Sequence, residues 1–323
     1  MTEQSPQVIE AGAGKPTTAV EGLTDLVERW LSTKTNEATR RTYRTRINHF
    51  IQFLGARSIT EEALNDYNRH VSELVDNPEG ITANTARARL HAATSFVSWA
   101  WTMDYQEAIS PRKVRELIDV PDGEGISPKD ILTSEEMAKV ISAAVPGREK
   151  CAVVLLAGSG LRASEAIQIT PGEVYRKQEG GEVNYFIDVP KSAGKGDKAR
   201  TVPVSPQVYE TISDYLDEQG REVADGADSV PILTGREGGI TRMTLHRDLS
   251  NAIERAGIDR DISTHNFRHT YATQKIMQGV PLRVVSRRLG HAKLETTEKN
   301  YVWIADELKA DTVTAWWRES PDA

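Results

Sequence analysis

The chain has 323 residues, 38% apolar and 27% charged, with 14 Pro, 23 Gly and a single Cys, a balance that excludes a disordered polymer, a collagen and a disulfide scaffold. Its length suits two domains at about 150 residues each, and its formal charge of −7 argues against a protein that binds polyanions through bulk charge alone. The longest apolar run, Ala152 to Ala157, is far below the roughly 20 residues of a membrane span, and the start MTEQSPQVIEAGAGKP has no basic region followed by an apolar one, so the chain is read as cytoplasmic with no membrane partner.

Residues 1–20 are polar, punctuated by Gly and Pro and without period, and are read as a disordered lead. Leu23 to Leu31 makes a short amphipathic helix. Ala38 to Leu54 makes a better one, with Tyr43, Ile47, Phe50, Ile51 and Leu54 on one stripe. Arg40, Arg41, Arg44 and Arg46 fall mostly off that stripe and form a basic outer surface, either a solvated face or one that meets DNA. A third helix covers Glu61 to Val75 and stops at Asp76-Asn77-Pro78-Glu79-Gly80. Thr82 or Asn84 caps a fourth that runs through Leu90, Ala93, Val97 and Ala100, with Arg87 and Arg89 near its start. Residues 21–113 thus read as an all-helical domain.

From Pro111 to Pro128 there are three prolines, two glycines and no sustained period, the composition of a linker, placed at residues 114–128. A second domain follows from residue 129. Thr133 or Ser134 with Glu136 opens a helix to Ala144 in capping-box style. Arg148 to Gly158 continues as a buried helix that holds Cys151, whose surroundings suit a small core residue in a reducing compartment. Another helix begins at Gly160-Leu161-Arg162-Ala163-Ser164-Glu165. Asn184 to Val189 and Ala199 to Val204 alternate like strands, joined by the basic loop Lys191 to Lys198. Helices are then expected at 206–219, 242–256, 264–278, 281–289 and 304–317.

Several polar residues stand where packing does not require them. Arg162 and Glu165, three apart on one helix, can pair and fix the guanidinium, or make an ordinary surface ion pair. Lys195 and Lys198 flank Gly196 at a hairpin tip, where they can approach a phosphate or form a solvated turn. His265 and Arg268 lie one helical turn apart in THNFRHTYAT and face the same way, with His269 pointing elsewhere. His291 ends a helix after Leu289-Gly290, and Tyr301 comes ten residues later. Residues 260–303 hold eight lysines and arginines against three acids, a net of +5, so one side of an acidic protein can still face DNA. No Cys or His cluster has metal-ligand spacing, so no metal is expected.

In this order the segments AGSGLRASEA, GKGDKARTVPV, THNFRHTYAT, RRLGHAKLETT and the following Tyr301 resemble the tyrosine recombinase family, the phage integrases and Xer-like recombinases, over about residues 21–310. The resemblance implies a mainly α fold: an N-terminal SAM-like, core-binding helical bundle, then a mostly helical catalytic domain at 129–310 with a small antiparallel sheet, the DNA breaking-rejoining fold. Residues 311–323 would be a C-terminal tail. It further implies catalytic arginines at Arg162 and Arg268, a hairpin lysine at Lys195, histidine-type positions at His265 and His291, a nucleophile at Tyr301, and Glu165 in support of the first arginine. Arg40, Arg41, Arg44, Arg87, Arg89 and Lys198 would contact DNA.

The chemistry implied is site-specific strand exchange through a 3′-phosphotyrosyl intermediate, without metal, nucleotide or other cofactor. Paired guanidiniums suit the charge that builds on the non-bridging phosphate oxygens. His265 would serve as base or relay for the tyrosine proton, Lys195 would protonate the leaving 5′ oxygen, and His291 would hydrogen-bond the phosphate. The partners implied are duplex DNA, a homo-tetramer assembled on DNA through the C-terminal segment, and accessory DNA-bending factors. One departure stands out: family members usually place the tyrosine nine residues after the last histidine-type position, and here it is ten. The same residues leave open a noncatalytic DNA-binding relic or regulator, which that extra residue supports, and a type IB topoisomerase-like relaxase.

Overall fold

The computed structural model describes residues 19–104, 109–120, 126–191, 199–291 and 301. They divide into two compact units, residues 1–124 and 125–323.

The first unit is a bundle of helices α1 (Ala19–Ser32), α2 (Glu37–Leu54), α3 (Glu61–Asp76), α4 (Ala83–Thr102) and α5 (Pro111–Leu117). Each start after the first has a side-chain cap: Asn36, Thr60, Thr82 and Ser110 accept hydrogen bonds from Thr39, Ala63, Thr85 and Lys113 backbone N–H groups. The apolar stripe on α2 buries Ile47, Phe50 and Leu54 against α4, which packs on the other four helices. Trp30 is fully buried between the edges of Tyr43 and Phe96, with ring centroids 5.2 and 5.5 Å away. A polar pair lies beside this core: His49 Nδ1 is 3.1 Å from the Tyr67 hydroxyl.

The segment read as a linker begins differently. Ser110 caps Pro111 at the first position of α5, and Val114 and Ile118 are buried against α3 and α4. Proline is favoured at a helix start because its missing N–H has no partner there in any case. Residues 114–118 therefore belong to the bundle.

In the second unit the helices are α6 (Ser134–Ala143), α7 (Arg148–Ser159), α8 (Ala163–Ala166), α9 (Pro206–Asp217), α10 (Arg242–Arg255), α11 (Thr264–Met277) and α12 (Leu282–Leu289). Cys151 to Leu156 are all buried, so α7 is apolar on every side, and α6, α8, α9, α10 and α11 pack around it. Strands β1 (Val174–Glu179), β2 (Glu182–Val189) and β3 (Arg200–Val204) form an antiparallel sheet in that order. The sequence reading has β2 and β3 but lacks β1, which turns into β2 through Gly180 and Gly181 at φ 62° and 88°. Two glycines at positive φ are the requirement of a tight two-residue hairpin. Two short strands, β4 (Thr234–Gly235) and β5 (Gly238–Gly239), make a further hairpin. The expected helix at 304–317 lies outside the described residues.

Helix α11 lies between two cores. Phe267 joins the main cluster around α7, while Tyr271, Ala272 and Ile276 join a smaller one with Val285, Leu289 and Tyr301. No described helix is long and apolar enough to cross a membrane.

Candidate active site

Two helix ends hold the two arginines. Helix α7 stops at Gly160 and α12 at Gly290, both in the left-handed conformation, φ 64° and 70°. This leaves their last carbonyls without helical partners. Arg268, on α11, takes two of these groups: one terminal nitrogen donates to Gly160 O at 2.9 Å and the other to Leu289 O at 2.5 Å. Arg162 donates to Gly290 O at 3.3 Å. Helix C-termini carry partial negative charge, so they suit guanidiniums.

Arg162 is also fixed from its own side. It precedes α8, and the Glu165 carboxylate accepts its backbone N–H at 2.8 Å and its side chain at 2.9 Å. The same carboxylate receives both terminal nitrogens of Arg200, at 2.9 and 2.8 Å, while Arg200 Nε donates to Arg288 O at 2.6 Å. Arg200 was missed in the sequence. A signal was there: on β3 it alternates in phase with buried Val202, which places an arginine on the inward face.

Burial pushes the Glu165 carboxyl upward, but the Arg200 hydrogen bonds, the Arg162 backbone and the two guanidinium charges outweigh it and hold its pKa below the ordinary value. Arg268 is pushed down to about 10 by burial and by Arg162, with Arg200 adding to the shift and Glu165 and Tyr301 opposing it. It stays charged at neutral pH. Three guanidiniums around one carboxylate leave the site with excess positive charge, which suits an anion.

Tyr301, ten residues after His291, is 2% exposed and packs in the smaller core. Its hydroxyl lies 2.9 Å from His269 Nδ1. The reading that His269 points elsewhere is thus corrected. Residues four apart on a helix are only about 40° apart around its axis, so His269 shares a face with His265, and the two rings meet edge to face at 4.3 Å. Burial pushes the Tyr301 phenol well above its ordinary pKa, with Arg268 opposing. Burial, and after it the arginine charges, lower His291 to about 4. For His265 the protein packed around its ring, and then Arg268 and Arg162, give a shift in the same direction.

Arg162, Glu165, His265, Arg268, His291 and Tyr301 are all among the described residues, and the arginines, Glu165 and Tyr301 are linked as set out above. Lys195 and Lys198 lie outside the described residues. Among the described residues no group of His, Cys, Asp and Glu is placed to hold a metal ion. In the first unit, Arg44 pairs with Glu28 and Arg40 with Glu37, while Arg41 is exposed. Arg87 lines a shallow basin of about 270 Å³ with Arg46, Tyr43 and His91. Arg89 is half-buried, and its charge acts on His49 and Tyr67.

A helical domain with a small antiparallel sheet, carrying clustered arginines and a tyrosine, defines a DNA breaking-rejoining fold. The phage integrase family model matches residues 130–307, more than half of the chain, and the chain belongs to that family of tyrosine recombinases. It is similar to the tyrosine recombinase XerD of Corynebacterium glutamicum, 28% identical over 303 residues that cover 90% of this chain and 93% of that protein. In fold it is similar to the XerH site-specific recombinase bound to a palindromic difH substrate, with TM-score 0.70, 18% identity and coverage of 95% of this chain and 99% of that one. A lambda integrase tetramer bound to a Holliday junction gives TM-score 0.62 at 16% identity over 83% of this chain and 73% of that one.

Proposed function

We propose that this chain is a site-specific DNA recombinase in which Tyr301 attacks a phosphodiester to give a 3′-phosphotyrosyl link and a free 5′ hydroxyl, which the partner duplex's hydroxyl then reverses on a new strand. Arg162 and Arg268 bind the non-bridging oxygens, each guanidinium contact being worth about 3 kcal/mol in the transition state. Glu165 orients Arg162. His291 hydrogen-bonds the phosphate, Lys195 protonates the leaving oxygen, and His265 is the base or relay that the resemblance implies. The chain works in the cytoplasm without cofactor. Arg40, Arg41, Arg44, Arg87, Arg89 and Lys198 contact the DNA backbone, which positions the protein without reading sequence.

The observation that carries this reading is the meeting of the Tyr301 hydroxyl with α11 beside Arg268, across an extra residue in the chain. A tyrosine kept at hydrogen-bond distance despite that insertion speaks against a noncatalytic relic. The similarity to site-specific recombinases over most of the chain speaks against a relaxase acting alone.

The test is to incubate wild type and Tyr301→Phe with supercoiled DNA carrying the flanks of the gene, denature with detergent, and sequence the DNA attached to protein. Adducts clustered at one sequence in wild type and missing in Tyr301→Phe are expected; adducts in both overturn the assignment. A tetramer on DNA, assembled through residues 305–323 and aided by accessory DNA-bending factors, completes the proposal. Deleting those residues is expected to spare cleavage and weaken synapsis, and unchanged recombination would refute it.

A further inference from the structure

The Tyr301 ring is held by packing: Tyr271, Ala272, Ile276, Val285 and Leu289 share its cluster, and the residue is 2% exposed. Packing alone leaves its hydroxyl unsatisfied, and a buried hydroxyl without a partner is costly. The partner is His269, whose Nδ1 lies 2.9 Å from the phenol oxygen. His269 is itself fixed, by the edge of the His265 ring at 4.3 Å and by its place on α11 next to Arg268, whose guanidinium the Gly160 and Leu289 carbonyls hold. Consecutive residues of one helix thus carry the guanidinium read as binding phosphate and the acceptor of the tyrosine hydroxyl.

Resting on the reading of Tyr301 as nucleophile, we propose that His269 is a positioning residue: its Nδ1 accepts the hydrogen bond of the Tyr301 hydroxyl and fixes that oxygen against α11 before attack, while the acid–base work stays with His265. The hydrogen bond is given up when Tyr301 Oη bonds to phosphorus, and the phenol proton leaves to the base rather than to His269. A hydroxyl tied to the same helix as Arg268 starts each cleavage from one place, and a reacting group held in place loses less freedom on the way to the transition state.

The charges around His269 suit an acceptor that keeps its protonation state. Facing it are His265 and Arg268 from its own helix, His291 from the end of α12, Asp130 from the turn before α6, and Tyr301. Burial, then His265 and Arg268, lower its pKa to about 4, with Asp130 opposing. The ring is therefore neutral at pH 7, and with its own proton on Nε2 it offers Nδ1 as an acceptor. Taking up the phenol proton would put a further cation beside Arg268 in a buried setting, and the same burial and charge disfavour that.

Two measurements on the full chain test this. In nitrogen-15 NMR of the DNA-free protein at pH 7, His269 is expected to show an unprotonated Nδ1 and a protonated Nε2, with Nδ1 shifting in Tyr301→Phe; a proton on Nδ1, or no shift, overturns the proposal even where a His269 variant does not fold. The second is the rate of adduct formation at saturating protein on the supercoiled plasmid carrying the gene's flanks, for wild type, His269→Leu, His269→Asn and Tyr301→Phe. Leucine removes the acceptor, whereas asparagine puts an oxygen near the place of Nδ1 but cannot take up a proton. His269→Leu is expected to bind the DNA as wild type does and to form adduct about tenfold more slowly, the worth of one hydrogen bond. His269→Asn is expected to recover most of that loss, with the pH profile of wild type. His269→Leu at the wild-type rate, or His269→Asn as slow as His269→Leu, overturns the proposal alone. Adduct from Tyr301→Phe, or none from wild type, overturns the nucleophile assignment and this proposal with it.

Discussion

Arg200 and Glu165 meet end to end, both terminal nitrogens of the guanidinium donating to the two carboxylate oxygens, with both side chains almost wholly buried. Their pairing connects the first strand residue of β3 to the turn that carries Arg162. Replacing Arg200 with Lys keeps the charge but loses the fork and the bond to the Arg288 carbonyl. Arg200→Lys is expected to lower stability by about 1–3 kcal/mol and to slow adduct formation, because Glu165 then holds Arg162 less firmly. An unfolding midpoint equal to wild type would show that the two-point geometry contributes nothing.

The helix ends at Gly160 and Gly290 have different tolerances. A Cβ on Gly160 would stand 2.4 Å from the Tyr271 ring, and one on Gly290 would stand 2.9 Å from Arg200, the far end of a longer side chain. Each alanine also suffers about 1–2 kcal/mol for the left-handed backbone. Urea unfolding is expected to rank Gly160→Ala as the more damaging, by about 1–3 kcal/mol of overpacking. The reverse order would mean that the Tyr271 ring yields more easily than Arg200.

Acid should weaken both units in one pH window. His49 in the first unit is lowered to about 4 by burial, Arg89 and His70, and His269 and His291 in the second are lowered to about 4 as well. The unfolded chain takes up these protons near pH 6.5 and the folded chain only near 4. Stability is therefore expected to fall as pH drops from 6.5 to 4, by at most about 3 kcal/mol per histidine and less after solvent screening. Glu165, held below its ordinary pKa, is stabilising above the unfolded carboxyl range and loses that contribution as pH falls through its folded value. Urea midpoints that stay constant between pH 7 and 5 would contradict this.

Tyr301, the proposed nucleophile, is also a core residue. Tyr301→Phe keeps the ring and removes one hydrogen bond, so it is expected to cost about 1 kcal/mol or less. Tyr301→Ala removes the ring from a packed cluster and is expected to cost about 3–5 kcal/mol. Equal melting of the two variants would place the ring outside the core.

Periodicity made the helices that carry the site readable. The stripe on α2, the capping box that opens α6 at Thr133 and the uninterrupted apolar run of α7 each leave a strong local pattern. The helical start at α5 was hidden because Pro111 reads as a breaker by composition and as a favoured first residue only by position. Strand β1 was hidden because VYRKQE has five residues that are not buried, and only the Gly180-Gly181 turn marks it. At the site, Arg162, Glu165, Arg268 and Tyr301 could be singled out one at a time. Their connections could not, since Arg200 with Glu165 and His269 with Tyr301 are 35 and 32 residues apart.

The carbonyls that hold Arg162 and Arg268 belong to the peptide chain itself. Every residue type offers the same oxygen, so alanine at 160, 289 or 290 would leave these acceptors chemically intact. The signal at the two glycines would come from the path of the backbone and from the crowding of the added Cβ. The placement of the two guanidiniums therefore depends partly on where two helices stop, and on the proposed reading evolution can retune phosphate recognition by moving a helix end without exchanging any charged residue.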